Sequence, residues 1–431
     1  LSQQKAEFAF GRGRATYLFV LLFLLQAADN LDTMVVTALF PFMKADLGVT
    51  DTQLALLVSA IYWSLVVFAV PIAYLLDRWS RTKGIGLFTV AWSVACSLIG
   101  FLRTFPAIFF TRCVMGIGQS AYGAGGTALI SAYFPEKERA RMNGIWTAAV
   151  PIGAVVGSLV GGVIAESLGW RYAFGIVAIP AFIIGLLFFF TLKDYKTVDL
   201  TKTIAAGVDA GKKVKMRVGD VVKDIFSKPS LVSNFMGFTG NLFVSMALIT
   251  WLPTYFYRLM DKPNMEAAAM QSAGIFLLAI IGAPIGGIVT DIIRKRVKRA
   301  RMLIPGLTSV ITASLLLTAF LMPPGTPQYV CLLGMGFFAP WYNGGATSVT
   351  QDVVHPGLRS TSMGVANLIQ NLLGASLGPL FVGIISDRIN LVTAFQLLPI
   401  FMLFGGVMFF VGSFFYLRDK DRAERVELQA A

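Results

Sequence analysis

Apolar residues run along this chain in stretches much longer than the stripe of a surface helix. Only a few charged or turn-forming positions break them at intervals. Runs of roughly 20 apolar residues can cross a bilayer as helices. The pattern predicts twelve such helices, at 15–43, 52–76, 84–103, 106–133, 141–168, 171–192, 230–258, 266–292, 301–322, 328–351, 360–386 and 391–417. One polar interval, 193–228, exceeds the rest and is rich in Lys, with Gly207, Gly211 and Gly219 inside it. It reads as a solvated linker between six helices in 1–192 and six in 229–431. Within it, 218–225 has the pattern of a short amphipathic helix lying at a membrane surface. The first apolar run is too long for a cleaved signal peptide and lacks a small-residue cleavage site.

The two halves carry versions of one segment, 135–174 and 356–395. Pro135, Met142, Gly153, Gly157 and Gly162 correspond to Pro356, Met363, Gly374, Gly378 and Gly383; Ile164, Glu166, Ala173 and Phe174 correspond to Ile385, Asp387, Ala394 and Phe395. A repeat in a polytopic membrane chain is the usual build of a secondary transporter, with its site between the repeats near mid-bilayer. The expected fold is therefore an all-α membrane protein of twelve transmembrane helices in two pseudo-symmetric six-helix bundles. Ala149, Gly153, Gly157 and Gly161 place small residues every fourth position on the fifth helix, and Gly374 and Gly378 do so on the eleventh. Small residues let helix backbones approach closely where lipid supplies no hydrophobic drive. The equivalent stripes suggest halves that pack and slide against each other during transport, or static packing alone.

Composition supports this class. The 431 residues are 56% hydrophobic and 14% charged, with mean hydropathy +0.71, against about 25% charged residues in soluble domains. The net charge of +13 raises the question of nucleic-acid binding, but no reader motif accompanies it. The distribution has another cause. Lys44, Arg103, Arg171, Arg258, Lys262 and Arg388 fall on one side of the predicted topology, Arg112 lies within a helix, and the remaining Lys and Arg lie on the other side. That skew follows the positive-inside rule and puts both termini in the cytoplasm of an inner (plasma) membrane. Basic clusters such as 294–301 then face anionic headgroups. Cys96, Cys113 and Cys331 fall inside predicted helices, where free Cys behaves as a small hydrophobe. No pair has metal-ligand spacing, so neither a metal nor another cofactor is expected.

Ionisable residues inside a membrane span are costly and point to function. Three are predicted there: Asp29 and Asp32 on the first helix, and Arg112 on the fourth. The two acids are neighbours on one helical face, and Gln26, Asn30, Thr33 and Thr37 extend a polar stripe along that helix. Arg112, Gly116, Gln119 and Gly123 share a face of the fourth helix. Arg keeps its proton even when buried, so it needs an acid. Asp32, or alternatively Asp29, is then a coupling group that gains and loses a proton; a permanent salt bridge between the helices is the other reading. Further polar or aromatic positions in predicted spans are Tyr62, Trp146, Asn234, Asn241, Trp341, Tyr342, Asn343, Asn367, Gln370 and Asn371. Their amides must be hydrogen-bonded, to cargo or to other helices.

Between the second and third helices the chain reads Asp77-Arg78-Trp79-Ser80-Arg81-Thr82-Lys83. Between the eighth and ninth it reads Asp291-Ile292-Ile293-Arg294-Lys295-Arg296. An acid followed by bases can pair across a short loop, which makes Asp77, Arg78, Arg81, Asp291 and Arg294 candidate gating residues. This loop resembles the signature of the major facilitator superfamily. Asn30-Leu31-Asp32-Thr33 with 39–42, and Thr111-Arg112-Cys113-Val114-Met115-Gly116-Ile117-Gly118-Gln119-Ser120-Ala121-Tyr122, resemble the first- and fourth-helix signatures of its spinster-like branch. The segments from Pro356 to Arg359 and 373–387 resemble that branch's tenth-to-eleventh-helix region. The resemblance implies transport, a proton-linked acid at Asp32 and a matching Arg at Arg112; no nucleophile–base pair, phosphate loop or metal cluster appears in the sequence, so no enzymatic activity is expected. It differs at Thr33, where the branch has Arg, and at Gln119, where an acid is usual. The residues favour a monomeric, proton-coupled carrier of a small organic anion. The resemblance offers efflux of a lysolipid or other amphipathic molecule instead, and a non-transporting membrane sensor is the reading from another class.

Overall fold

The computed structural model describes residues 11–192, 224–259, 264–354 and 358–425. Among these residues there is no strand, and ten helices are long and apolar enough to cross a membrane. The first half contains α1 (Arg12–Leu47), α2 (Asp51–Arg78), α3 (Arg81–Ile99), α4 (Phe105–Tyr133), α5 (Glu136–Ser167) and α6 (Trp170–Thr191). In the second half come α7 (Pro229–Leu259), α8 (Met265–Arg294) and α9 (Ala300–Leu321). The tenth predicted span is α10 (Thr326–Phe338), a 3-10 turn (Ala339–Trp341) and α11 (Tyr342–Asp352). The eleventh is α12 (Arg359–Ile369), a π turn (Gln370–Ala375) and α13 (Leu377–Arg388), and α14 (Leu391–Arg425) ends the series.

Local chemistry sets several of these boundaries. α1 stops at Gly48, whose φ of 64° is left-handed and open to glycine at little cost. Two residues later Thr50 and Gln53 form a reciprocal capping box that starts α2. Ser80 accepts from the Lys83 amide to start α3. The tenth span departs from the expected continuous helix because Pro340 lacks an N–H and cannot continue an α ladder. The π turn in the eleventh shows in the Ser376 amide, which bonds to the Asn371 carbonyl five residues back.

The chain divides into two compact units. One comprises 1–195, 246–277 and 379–394; the other comprises 196–245, 278–378 and 395–431. In the first, Leu18, Leu22, Leu25, Trp92, Leu129, Ile130 and Phe188 belong to one buried apolar cluster. In the second, Leu231, Phe235, Met302, Tyr342, Val349 and Phe409 do the same.

Each small-residue stripe has its nearest neighbours within its own unit. Within the first unit, Gly153 and Gly157 lie directly against the α1 backbone at Ala27 and Leu31, and Gly161 lies against Val35 and Ala38. Within the second unit, Gly378 lies on the Phe243 carbonyl of α7, and Gly374 packs on Thr239 and Leu242. Each stripe thus seats its helix on the first helix of its own half. A Cβ at position 157 would come within 2.5 Å of the Leu31 carbonyl oxygen, a backbone atom that cannot rotate away. Gly157→Ala is expected to cost about 1–3 kcal/mol, read as a lower thermal unfolding midpoint in detergent. An unchanged midpoint would show that α1 and α5 do not need this approach.

Candidate functional site

Three helices of the first unit bring the intramembrane polar groups together. Asp29 and Asp32 project from α1 and are both buried. Arg112 on α4 is 0% exposed, and Gln119, two turns further along α4, is also buried. The α3 helix contributes Cys96. Its thiol donates to Asp32 Oδ1 at 2.9 Å and lies 3.5 Å from the Phe174 carbonyl. Asp29 Oδ2 accepts a short hydrogen bond from the Tyr122 hydroxyl of α4, and Gln26 Nε2 reaches that hydroxyl at 3.5 Å. Arg112 lies within electrostatic reach of Asp32 on α1 and of Tyr62 on α2.

The partners of Arg112 define what it can still bind. Its Nε donates to the Leu57 carbonyl at 3.3 Å, and its Nη1 lies 3.9 Å from Met115 Sδ. Arg112 Nη2, Gln119 Nε2 and Asp29 Oδ1 are buried without a hydrogen-bond partner. Buried polar atoms are nearly always satisfied, and an exception calls for an explanation. These three lie on α1 and α4, the helices that carry the acids and the guanidinium; other such atoms among the described residues lie elsewhere, Trp92 Nε1 and Ser158 Oγ among them. The three comprise two donors, one of them cationic, and one acceptor. Such a set matches a small anion that also carries hydroxyls.

Arg112 and Asp32 do not meet at ion-pair distance, and each has neutral partners instead. Two carboxylates and one guanidinium leave one negative charge in surplus when both acids are ionised. A single proton on either acid removes that surplus.

Other predicted positions serve their own helices or neighbouring ones. Thr33 and Thr37 donate to the Asp29 and Met34 carbonyls, and Asn30 to that of Gln26. Trp146 donates to the Leu22 carbonyl at 3.1 Å and covers Gly126, so α1 and α4 hold its ring. The Tyr62 hydroxyl lies 3.7 Å from Met246 Sδ. In the second unit, Asn241 uses both ends of its amide, on the Gly237 carbonyl and on Ser309 Oγ, each at 2.9 Å. Asn234 bonds the Ala346 carbonyl and Thr350. Tyr342 is buried edge-on to Phe238. Trp341 packs on Phe337 and Phe338 with its Nε1 unpartnered. Asn343 is half-buried and Gln370 buried, while Asn367 is exposed and its carbonyl accepts from Asn371 at 2.8 Å.

At the loop signatures, the Asp77 side chain lies outside the described residues, as do most of 218–225 and the segment 193–223. Arg78 is exposed and stacks 4.4 Å over the Tyr74 ring, and Arg81 and Arg294 are half-buried. Asp291 is 3.9 Å from Arg301, whose principal partner is Asp352. Asp352 also accepts from the Tyr416 hydroxyl at 2.6 Å. This Arg301–Asp352–Tyr416 cluster joins the ends of α9, α11 and α14. The sequence reading did not single it out, nor did it assign roles to Cys96 and Tyr122. For Tyr122 a signal existed, since it follows Gln119 by three positions and so borders the polar face of α4.

Long apolar helices, an internal repeat and ionisable side chains buried within the spans are the build of a polytopic secondary transporter. Residues 22–379 match the model of the Major Facilitator Superfamily, and the chain belongs to that family. It is similar to the hexuronate transporter of Bacillus subtilis (strain 168), 24% identical over 91% of this chain and 92% of the relative. It is also similar to the sphingosine-1-phosphate transporter SPNS2 of Danio rerio, 22% identical over 94% and 85%. In fold it matches the crystal structure of a bacterial homologue of the human lysosomal transporter Spinster. The TM-score is 0.79 at 22% identity, covering 98% of this chain and all of that one. The protein is a multi-pass membrane transporter of small molecules with the major facilitator fold and a likeness to the spinster-like branch; it is not an enzyme.

Proposed function

We propose that this transporter moves a small hydroxylated organic anion together with protons by alternating access. The observation that carries the reading is the wholly buried Arg112 with a free Nη2, on the same helix as a Gln119 whose buried Nε2 has no partner, with two buried acids on α1. The guanidinium attracts the carboxylate of the cargo, and Gln119 and Asn30 take its hydroxyls. Asp32 carries the coupling proton, with Asp29 as its companion. The similarity to a hexuronate transporter points to sugar acids as the first cargo to try. The protein works as a monomer in the inner membrane with both termini in the cytoplasm. Its halves, 1–192 and 229–431, rock about the linker 193–228, and Asp77, Arg78, Arg81, Asp291 and Arg294 latch the cytoplasmic side.

A second reading comes from the similarity to sphingosine-1-phosphate transporters, in which an anionic headgroup on Arg112 would draw a lipid tail behind it. Uptake of glucuronate and galactonate into proteoliposomes, with acid imposed outside, separates the two. Acid-stimulated uptake of a sugar acid is the expected result. No stimulation, with lysophospholipid movement in its place, would favour the lipid. Ligand binding without movement of either class would indicate a sensor.

A further inference from the structure

Glu166 and Asp387 occupy equivalent places in the internal repeat, and each caps the first turn of a helix from the other half of the sequence. Asp387 on α13 accepts from the backbone amides of Asp51 and Thr52, the first two residues of α2, at 2.9 and 2.7 Å. Glu166 on α5 accepts a short bond from the amide of Met265, the first residue of α8. The correspondence extends further. The residue before each capped helix, Thr50 or Asn264, takes the amide of the third helical position, Gln53 or Ala267. Four residues before each carboxylate stands a repeat-equivalent glycine. A Cβ at Gly383 would lie 2.7 Å from the Asp51 carbonyl oxygen, and one at Gly162 would lie 3.3 Å from that of Met265. Both glycines let their helix rest on the first turn it caps.

The α2 end is reinforced. Asp51 is buried, pairs with Lys44 at 2.7 Å, takes both Arg258 Nη atoms at 2.9 and 3.0 Å, and accepts from Ser386 at 2.6 Å. Negative groups at helix N-termini satisfy orphan amides and the helix dipole together. Two carboxylates fixed by the repeat therefore hold the two crossings shut in the same way.

We propose that Glu166 and Asp387 are twin latches on the side of the membrane opposite the termini. Both must release before the transport site opens to that side. This rests on the transport reading above, but its test does not require transport. A single reporter, Ala38→Cys, sits on α1 against Gly161 and is fully buried. It is introduced after Cys96, Cys113 and Cys331 are replaced, and its labelling by a membrane-impermeant maleimide applied from that side is timed. Labelling is expected to rise about tenfold when Glu166→Ala and Asp387→Ala are combined, and less in each single variant. Glu166→Gln with Asp387→Asn, which keeps the acceptor oxygens, should lie between parent and double alanine. Gly383→Ala, which wedges the crossing without changing charge, should raise labelling too and decides the matter if the double alanine variant is not monodisperse. Unchanged labelling in monodisperse double alanine, or in Gly383→Ala where the former does not fold, overturns the proposal.

Discussion

Asp32→Asn is expected to abolish accumulation driven by a pH gradient while leaving exchange of cargo across the membrane intact. The substitution keeps an oxygen for the Cys96 thiol, now 2.9 Å from the carboxylate, so that contact between α1 and α3 survives. It removes the ionisable carboxyl and with it the group that would take up the proton. Exchange needs only the cargo to cross and return, with no net proton movement, and so continues. The measurement is paired: radiolabelled uptake under an imposed gradient, and counterflow with cargo on both sides. Gradient-driven uptake at the wild-type rate would remove Asp32 from the coupling role. The same pair applied to Asp29→Asn then shows whether the acid held by Tyr122 takes that part.

Arg112→Met should weaken cargo binding about 100-fold, or ~3 kcal/mol, the scale of a charge-assisted hydrogen bond in a water-poor site. Methionine fills much of the same volume, which limits collapse around the position. Arg112→Lys should restore little, because an ammonium lacks the planar fork that donates to the Leu57 carbonyl through Nε while leaving Nη2 free. Ligand-induced thermal shift in detergent gives the affinity directly and separates it from transport. Wild-type affinity in Arg112→Met would move the anion site away from α4.

The helices were legible because membrane spans advertise themselves by length and hydropathy, and most predicted ends fall within a turn of those observed. The tenth and eleventh spans were read as continuous. Pro340 was visible as a breaker there, but the π turn at Gln370–Ala375 carries no local signal. Charge is rare in a bilayer, so Asp29, Asp32 and Arg112 stood out, and the structure puts their helices side by side. Cys96 and Tyr122 did not stand out, since a lone thiol or phenol in an apolar run reads as packing. Their importance comes from facing an acid on another helix, which spacing along one helix cannot report. The same limit hid the partners of Asn241 and Trp146. Their polar ends are taken by Ser309 and by the Leu22 carbonyl, contacts that bridge 68 and 124 positions of chain.

The π turn has its own consequence for motion. Such a turn holds one residue more than an α turn, so the backbone there stores a residue's worth of slack. Passing that surplus along the ladder rotates Leu377–Arg388 about its long axis by about 100° per residue transferred, with no helix unwound and no chain broken. That spare residue sits at the level where Gly374 and Gly378 lie bare against α7.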